Sequence, residues 1–132
     1  MRLLLDTHMI LAILRGDVGQ RFPDVPELLA DQETVGFASI ASLWEIAIKT
    51  RLGKLDPGMP LDEIARSLDE IGLSLLGIEI SHVITAAEPE PSTRDPFDRL
   101  LLSQCQIENL KLLTVDLALA DHPHAFKFSV RL

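Results

Sequence analysis

Basic side chains are scarce in this 132-residue sequence. Twelve Lys and Arg stand against 20 Asp and Glu, giving a formal net charge of −8. That balance excludes bulk electrostatic binding of nucleic acid, which normally requires a basic protein. Any contact with a polyanion has to be local. Cysteine is scarcer still: Cys105 stands alone, so no internal disulfide can form, and a reducing compartment suits it. Its apolar helical surroundings point to a buried, inert thiol. No Cys/His grouping has zinc spacing, which argues against a structural zinc. Long apolar runs are also missing, and none approaches the ~20 residues that span a bilayer. The longest near the start, Met9–Leu14, has six residues and follows Asp6, unlike the apolar core of a secretory signal. A soluble, cytoplasmic protein with no membrane partner is expected.

What is present describes a folded chain. Apolar residues make up 47% and charged ones 24%, enough to build a core. The length suits one domain over residues 1–132. Arg2–Leu5 reads as a buried strand, followed by a helix from His8 to Arg15 that Gly16 ends. A short helix holds Leu28 and Leu29, and Thr34–Phe37 is β-prone. Ser39 can cap a long helix bearing Ile40, Leu43, Trp44, Ala47, Ile48 and Leu52 at helical spacing, with Gly53 at its end. Leu61–Ile71 is a further amphipathic helix stopped by Gly72. Leu73–Ile78 reads as a strand, Ile80–Ala87 as a helix, Asp95–Asn109 as a helix, Lys111–Val115 as a strand and Phe126–Val130 as a final strand. Short apolar strands alternating with helices predict an α/β fold: a mostly parallel central sheet flanked by helices on both faces. Ligands of such sheets bind at the carboxyl ends of the strands.

Four acidic residues can reach that edge. Asp6 and Asp116 each follow a strand, although each is also a good N-cap for a helix behind it. Glu45 lies at the edge of an apolar helical stripe or inside it, where a surface glutamate does not belong. Burying a carboxylate is costly without compensation, and a bound cation compensates. Pairing with Lys49 at i+4, or a capping box with Ser42, also accounts for Glu45. Asp98 reads as N3 of a helix whose N-cap is Asp95 and whose N1 is Pro96, a favourable start in its own right. Together the four carboxylates would repel one another unless a cation intervened. Hard oxygen ligands suit Mg²⁺ or Mn²⁺, the ions of phosphodiester-cutting sites.

The segments LLLDTH, SLWEIAIKTRLGKL, RDPFDRLLLSQC and LLTVD, in this order, resemble PIN-domain ribonucleases, and most closely the VapC-type toxins of bacterial toxin–antitoxin pairs. The likeness spans nearly the whole chain, with DPFDRLLLSQ and WEIAIK its most specific parts. It implies a three-layer PIN fold and RNA cleavage dependent on Mg²⁺ or Mn²⁺. Catalytic and metal-binding roles fall on Asp6, Glu45, Asp98 and Asp116. Thr7 matches the family's small hydroxyl beside the first acid and Thr114 can orient the fourth, although local backbone capping explains both hydroxyls equally well; Asp95 is a further candidate contributor, with capping of the helix its first role. Relatives often carry His where this chain has Thr93. Among Arg94, Arg99, Lys49 and Arg51, Arg99 and Lys49 are the first candidates for phosphate contact, against a solvated surface role. His8 has no visible partner and makes a poor general base. The likeness further implies a cognate antitoxin and a homodimer, for which the helices around Trp44 and Leu61–Ile71 offer surfaces if core packing does not consume them. A receiver-type phospho-accepting module and a catalytically inactive PIN-like binding protein are the rivals. The first lacks its paired acids after strand one and its lysine.

Overall fold

The computed structural model describes residues 1–127. Its elements run β1 (Arg2–Leu5), α1 (Thr7–Arg15), α2 (Val18–Arg21), α3 (Val25–Ala30), β2 (Val35–Ser39), α4 (Ile40–Arg51), α5 (Ile64–Ile71), β3 (Ser74–Leu76), α6 (Ile80–Ile84), α7 (Pro96–Glu108), β4 (Lys111–Leu113) and α8 (Leu117–Ala120). The four strands form one parallel sheet in the order β3-β2-β1-β4. The predicted strand at Phe126–Val130 falls mostly outside the described residues. Within them, Ala125 forms a parallel bridge to Leu112.

β1 lies between two parallel neighbours and, beyond the exposed Arg2, is buried on both faces, so Leu3, Leu4 and Leu5 are all apolar. The pleat sends Leu3 and Leu5 to one side and Leu4 to the other. Leu3 and Leu5 pack with Met9, Ile10, Ile46, Ile64 and Leu68, from α1, α4 and α5. Leu4 packs with Ala41, Leu101, Leu102, Cys105 and Leu119, from α4, α7 and α8. The result is the helix–sheet–helix layering expected. All three glycine stops hold: Gly16, Gly53 and Gly72 take left-handed φ of 76°, 71° and 101°, donating to the carbonyls that α1, α4 and α5 leave open. Gly36 has a different purpose, because a Cβ there would come within 2.6 Å of the Leu73 side chain.

Several expectations change: the strand over Leu73–Ile78 narrows to Ser74–Leu76, and the Leu61–Ile71 helix opens with a 3-10 turn over Leu61–Glu63. The helix from Ile80 is shorter than its pattern suggested and ends at Ile84. Trp44 and Leu52 do not pack in the core; they are 58% and 63% exposed. The reason lies in the rotation of α4, whose buried side is Ala41, Ser42, Glu45 and Ile46. That rotation points the carboxylate inward and leaves the indole outside, edge-on to Phe97 at 5.6 Å between ring centroids. Among the described residues, no helix is long and apolar enough to cross a membrane.

Candidate active site

The site is assembled at the carboxyl ends of the strands. Asp6 ends β1 and caps α1, with Oδ1 accepting from Met9 N at 2.8 Å. Its Oδ2 accepts from the Thr114 hydroxyl, which belongs to the turn after neighbouring β4. Thr114 Oγ1 also accepts from Asp116 N at 3.0 Å, so one hydroxyl fixes both acids. Asp116 in turn caps α8 through Ala118 N.

From the other flank, β2 ends at Ser39, which caps α4 by accepting from Ala41 N at 3.0 Å. A helix beginning there makes the alternative capping box of Ser42 and Glu45 impossible. Glu45 is 6% exposed. Its Oε1 accepts from Thr7 Oγ1 at 2.7 Å, with the Ser42 hydroxyl 3.1 Å from the same threonine oxygen. Its Oε2 accepts from Lys49 Nζ at 2.5 Å. Both explanations offered for Glu45 thus hold together: it is buried at the strand ends, and it is paired with Lys49.

α7 enters from the opposite layer. Asp95 is its N-cap, accepting from Phe97 N at 2.8 Å and more weakly from Asp98 N at 3.4 Å. The cap leaves Asp98 on the first turn, where its Oδ2 accepts from Thr93 Oγ1 at 3.2 Å. Thr93 also accepts from Asp95 N. The threonine at the position where relatives often carry histidine therefore holds two acids in place. Its sequence signal was a hydroxyl two residues before an N-cap, an arrangement that readily forms a local turn. Ser42 was missed as well; its burial depends on the rotation of α4.

Electrostatics show which acids share space. Burial pushes Asp6 above the usual carboxylate range, against the hydrogen bonds from Thr114 and Met9 and the nearby His8, and Asp116 adds to the rise. Burial also pushes Asp98 up to about 6, with further increments from Asp95, Asp116 and Glu45. Asp116 thus acts on both Asp6 and Asp98, and Asp98 feels Glu45 too. The four carboxylates are linked pairwise, Asp6 to Asp116, Asp116 to Asp98 and Asp98 to Glu45, with Asp95 beside Asp98. Lys49 is pushed up, first by its hydrogen bond to Glu45, and feels Asp95 and Asp98 as well.

Arg99, a candidate for phosphate contact, is engaged with the loop that precedes α7. Its guanidinium donates to the carbonyls of Thr93 at 2.7 Å and Pro91 at 3.2 Å and pairs with Glu90 at 3.2 Å. These bonds take three of its five N–H groups for the loop that carries Thr93. Cys105 is buried, and desolvation pushes its thiol up to about 12, as an inert core residue requires.

Neighbouring carboxylates, two of them buried and two half-buried, match the chemistry of a hard divalent cation. Their distances fall short of a formed ligand shell: among the described residues, no three His, Cys, Asp or Glu groups are placed to hold one ion together. The hydrogen bonds explain this spacing. Both Asp6 oxygens and both Glu45 oxygens face protein donors. The donor set fits such an ion in kind, and ligation requires the acids to draw together and some of these hydrogen-bond donors to give way.

A search of curated proteins found none that matches this sequence. A family model described as the PIN domain does match, over residues 3–125. PIN domains are generally metal-dependent nucleases, and this assignment removes the receiver-type reading. With its four-stranded parallel sheet, its acids at the strand ends and a match over nearly all its length, the chain belongs to the PIN-domain family.

Proposed function

We propose that this chain, as one PIN domain, is a metal-dependent endoribonuclease and the toxin of a toxin–antitoxin pair. Its metal ligands are Asp6, Glu45, Asp98 and Asp116, and Mg²⁺ or Mn²⁺ is its cofactor. The observation that carries the reading is the placement of these acids at the carboxyl edge of the sheet, where Thr114 bridges Asp6 and Asp116, Thr7 beside Asp6 bonds Glu45, and Asp98 stands within reach of Asp116 and Glu45. RNA as the substrate, the toxin role and a cytoplasmic location follow the resemblance to VapC-type proteins.

The chain's own contributions are positional. Thr114 and Thr7 hold Asp6 and Glu45 in fixed orientations, and Thr93 does so for Asp98. Asp95 sets the start of α7 and adds negative charge at the edge of the cluster. A divalent ion bound by these acids supplies positive charge against the phosphate and lowers the pKa of water. Lys49, partly exposed beside the cluster, is the cation placed to meet a phosphate oxygen. Arg99 instead shapes the loop before α7. Exposed apolar side chains, Trp44, Ile71, Ile80 and Ile84 among them, support an antitoxin and a second copy of the chain as partners.

The test is cleavage of RNA by the purified protein. Activity is expected with Mg²⁺ or Mn²⁺, and none in EDTA or in Asp98→Asn. Undiminished cleavage by Asp98→Asn, with contaminating nuclease excluded, contradicts the site. An inert wild-type protein on total cellular RNA favours a binding module instead.

A further inference from the structure

The ammonium of Lys49 occupies an unusual position. It is the only cation that donates to one of the four acids among the described residues. Its carboxylate partner is almost wholly buried, with 8% of the Glu45 side chain exposed against 41% of the lysine's. The same ammonium lies close enough to Asp95 and Asp98 to feel both charges. An exposed i,i+4 ion pair has a small effect, because water screens it and two flexible side chains must be ordered. Here one partner cannot be solvated, so the pair neutralises a charge that water does not reach. The other Glu45 oxygen is held by Thr7, a neutral hydroxyl that brings no positive charge.

We propose that Lys49 is a tethered counter-cation that holds Glu45 in place of a divalent ion and competes with that ion for the carboxylate. The inference rests on the metal-binding role given above to the acidic cluster. Lys49 reaches the cluster from the fourth position after Glu45 on α4, a separation that places two side chains on one helix face. Its stem is long enough to withdraw toward solvent without moving the helix. Two consequences follow for a protein without metal and one with it. Without metal, the lysine stabilises the fold by relieving repulsion among the acids. With metal, its charge opposes the arriving dication and its bond occupies a ligand oxygen, so the same residue weakens metal affinity. Lys49 is thus a positioning residue that sets the metal concentration at which the site forms.

The experiment is Mn²⁺ titration by calorimetry on the full chain, together with thermal melting in EDTA and in excess Mn²⁺. It compares the parent with Lys49→Met, Lys49→Gln and Lys49→Arg. The neutral variants should bind Mn²⁺ roughly tenfold more tightly, the scale of one close charge on an ionisable group. In EDTA they should melt below the parent, and Mn²⁺ should raise their melting temperature by more than it raises the parent's. Lys49→Arg should stay near the parent. In a Glu45→Gln background, Lys49→Met should lose most of its gain. Either neutral variant suffices if the other fails to fold. Binding by the parent with unchanged or weaker affinity in both neutral variants overturns the inference and leaves the metal site standing. Absence of Mn²⁺ binding in every protein, the neutral variants included, overturns the metal reading and the inference with it.

Discussion

Two buried polar clusters lie along α7, and they are built on opposite plans. Toward its C-terminal half, Ser39 donates to Gln104 Oε1 at 2.6 Å, and Gln104 Nε2 donates to Gly77 O at 3.2 Å. His82 Nδ1 accepts from Glu79 N at 2.9 Å, which leaves the Nε2 proton to face Glu108 at 3.0 Å. Ser103 Oγ stands 2.8 Å from the carbonyls of His82 and Thr85. Donors and acceptors alternate there, and the matched set ties α6 and α4 to α7. At the N-terminal end, Asp98 joins Asp6, Glu45 and Asp116 in a group of one sign, served by three threonine hydroxyls and a single lysine. A protein seeking stability alone would not gather them, since taking a carboxylate out of water carries a desolvation cost and like charges nearby add to it, as Asp6 and Asp98 show. The first cluster is complete within the fold, and the second keeps an excess of negative charge with Lys49 as its bonded cation among the described residues.

The sharpest way to break this comparison is to substitute one residue in each cluster. Asp6→Asn should reduce RNA cleavage by at least about 100-fold, the scale seen when metal sites lose supporting groups, while its thermal unfolding temperature holds or rises. Unchanged cleavage would show that Asp6 is only the cap of α1. Gln104→Ala should do the reverse. It strands the Ser39 hydroxyl and the Gly77 carbonyl, and chemical denaturation should show a loss of about 2–3 kcal/mol. The Mn²⁺-induced rise in its melting temperature should persist.

The acidic cluster should also respond to pH with a definite sign. Asp98 binds its proton more tightly in the fold, at about 6, than in the unfolded chain, where the ordinary value is 3.8. Between those values the folded state holds protons that the unfolded state has released, so stability falls as pH rises. Asp6 is displaced in the same direction. In EDTA the melting temperature should therefore drop between about pH 4 and pH 7, by a few degrees. Asp98→Asn should flatten that slope, and a flat parent profile would contradict the crowding of the acids. The smallest effect is expected from Thr93→Val, which removes the hydroxyl from Asp98 and should push its carboxyl further up. Cleavage should fall several-fold and its acid limb shift to higher pH, with Thr93→Ser restoring both.

Much of this was legible in the residues. The Leu3–Leu5 run, the cap at Ser39 and the Asp95–Pro96 start are local signals, and each was realised because its physics is local. The ends of β1 and β4 placed Asp6 and Asp116 at one sheet edge, since a parallel sheet leaves little choice. The rotation of α4 was harder to read. Its apolar residues run almost all round the helix, so periodicity alone did not choose between burying Trp44 and burying Glu45; contacts with β1, α1 and α7 decided it. The fate of Arg99 was likewise set by carbonyls of the loop at 91–93, which no spacing along the helix reveals.

The central claim is that four separate acids form one cation site. Its most direct test is Mn²⁺ titration of Asp6→Asn, Glu45→Gln, Asp98→Asn and Asp116→Asn beside the parent protein. The account predicts that the parent binds and that every substitution weakens binding by about tenfold or more. Undiminished Mn²⁺ affinity in all four variants would contradict it.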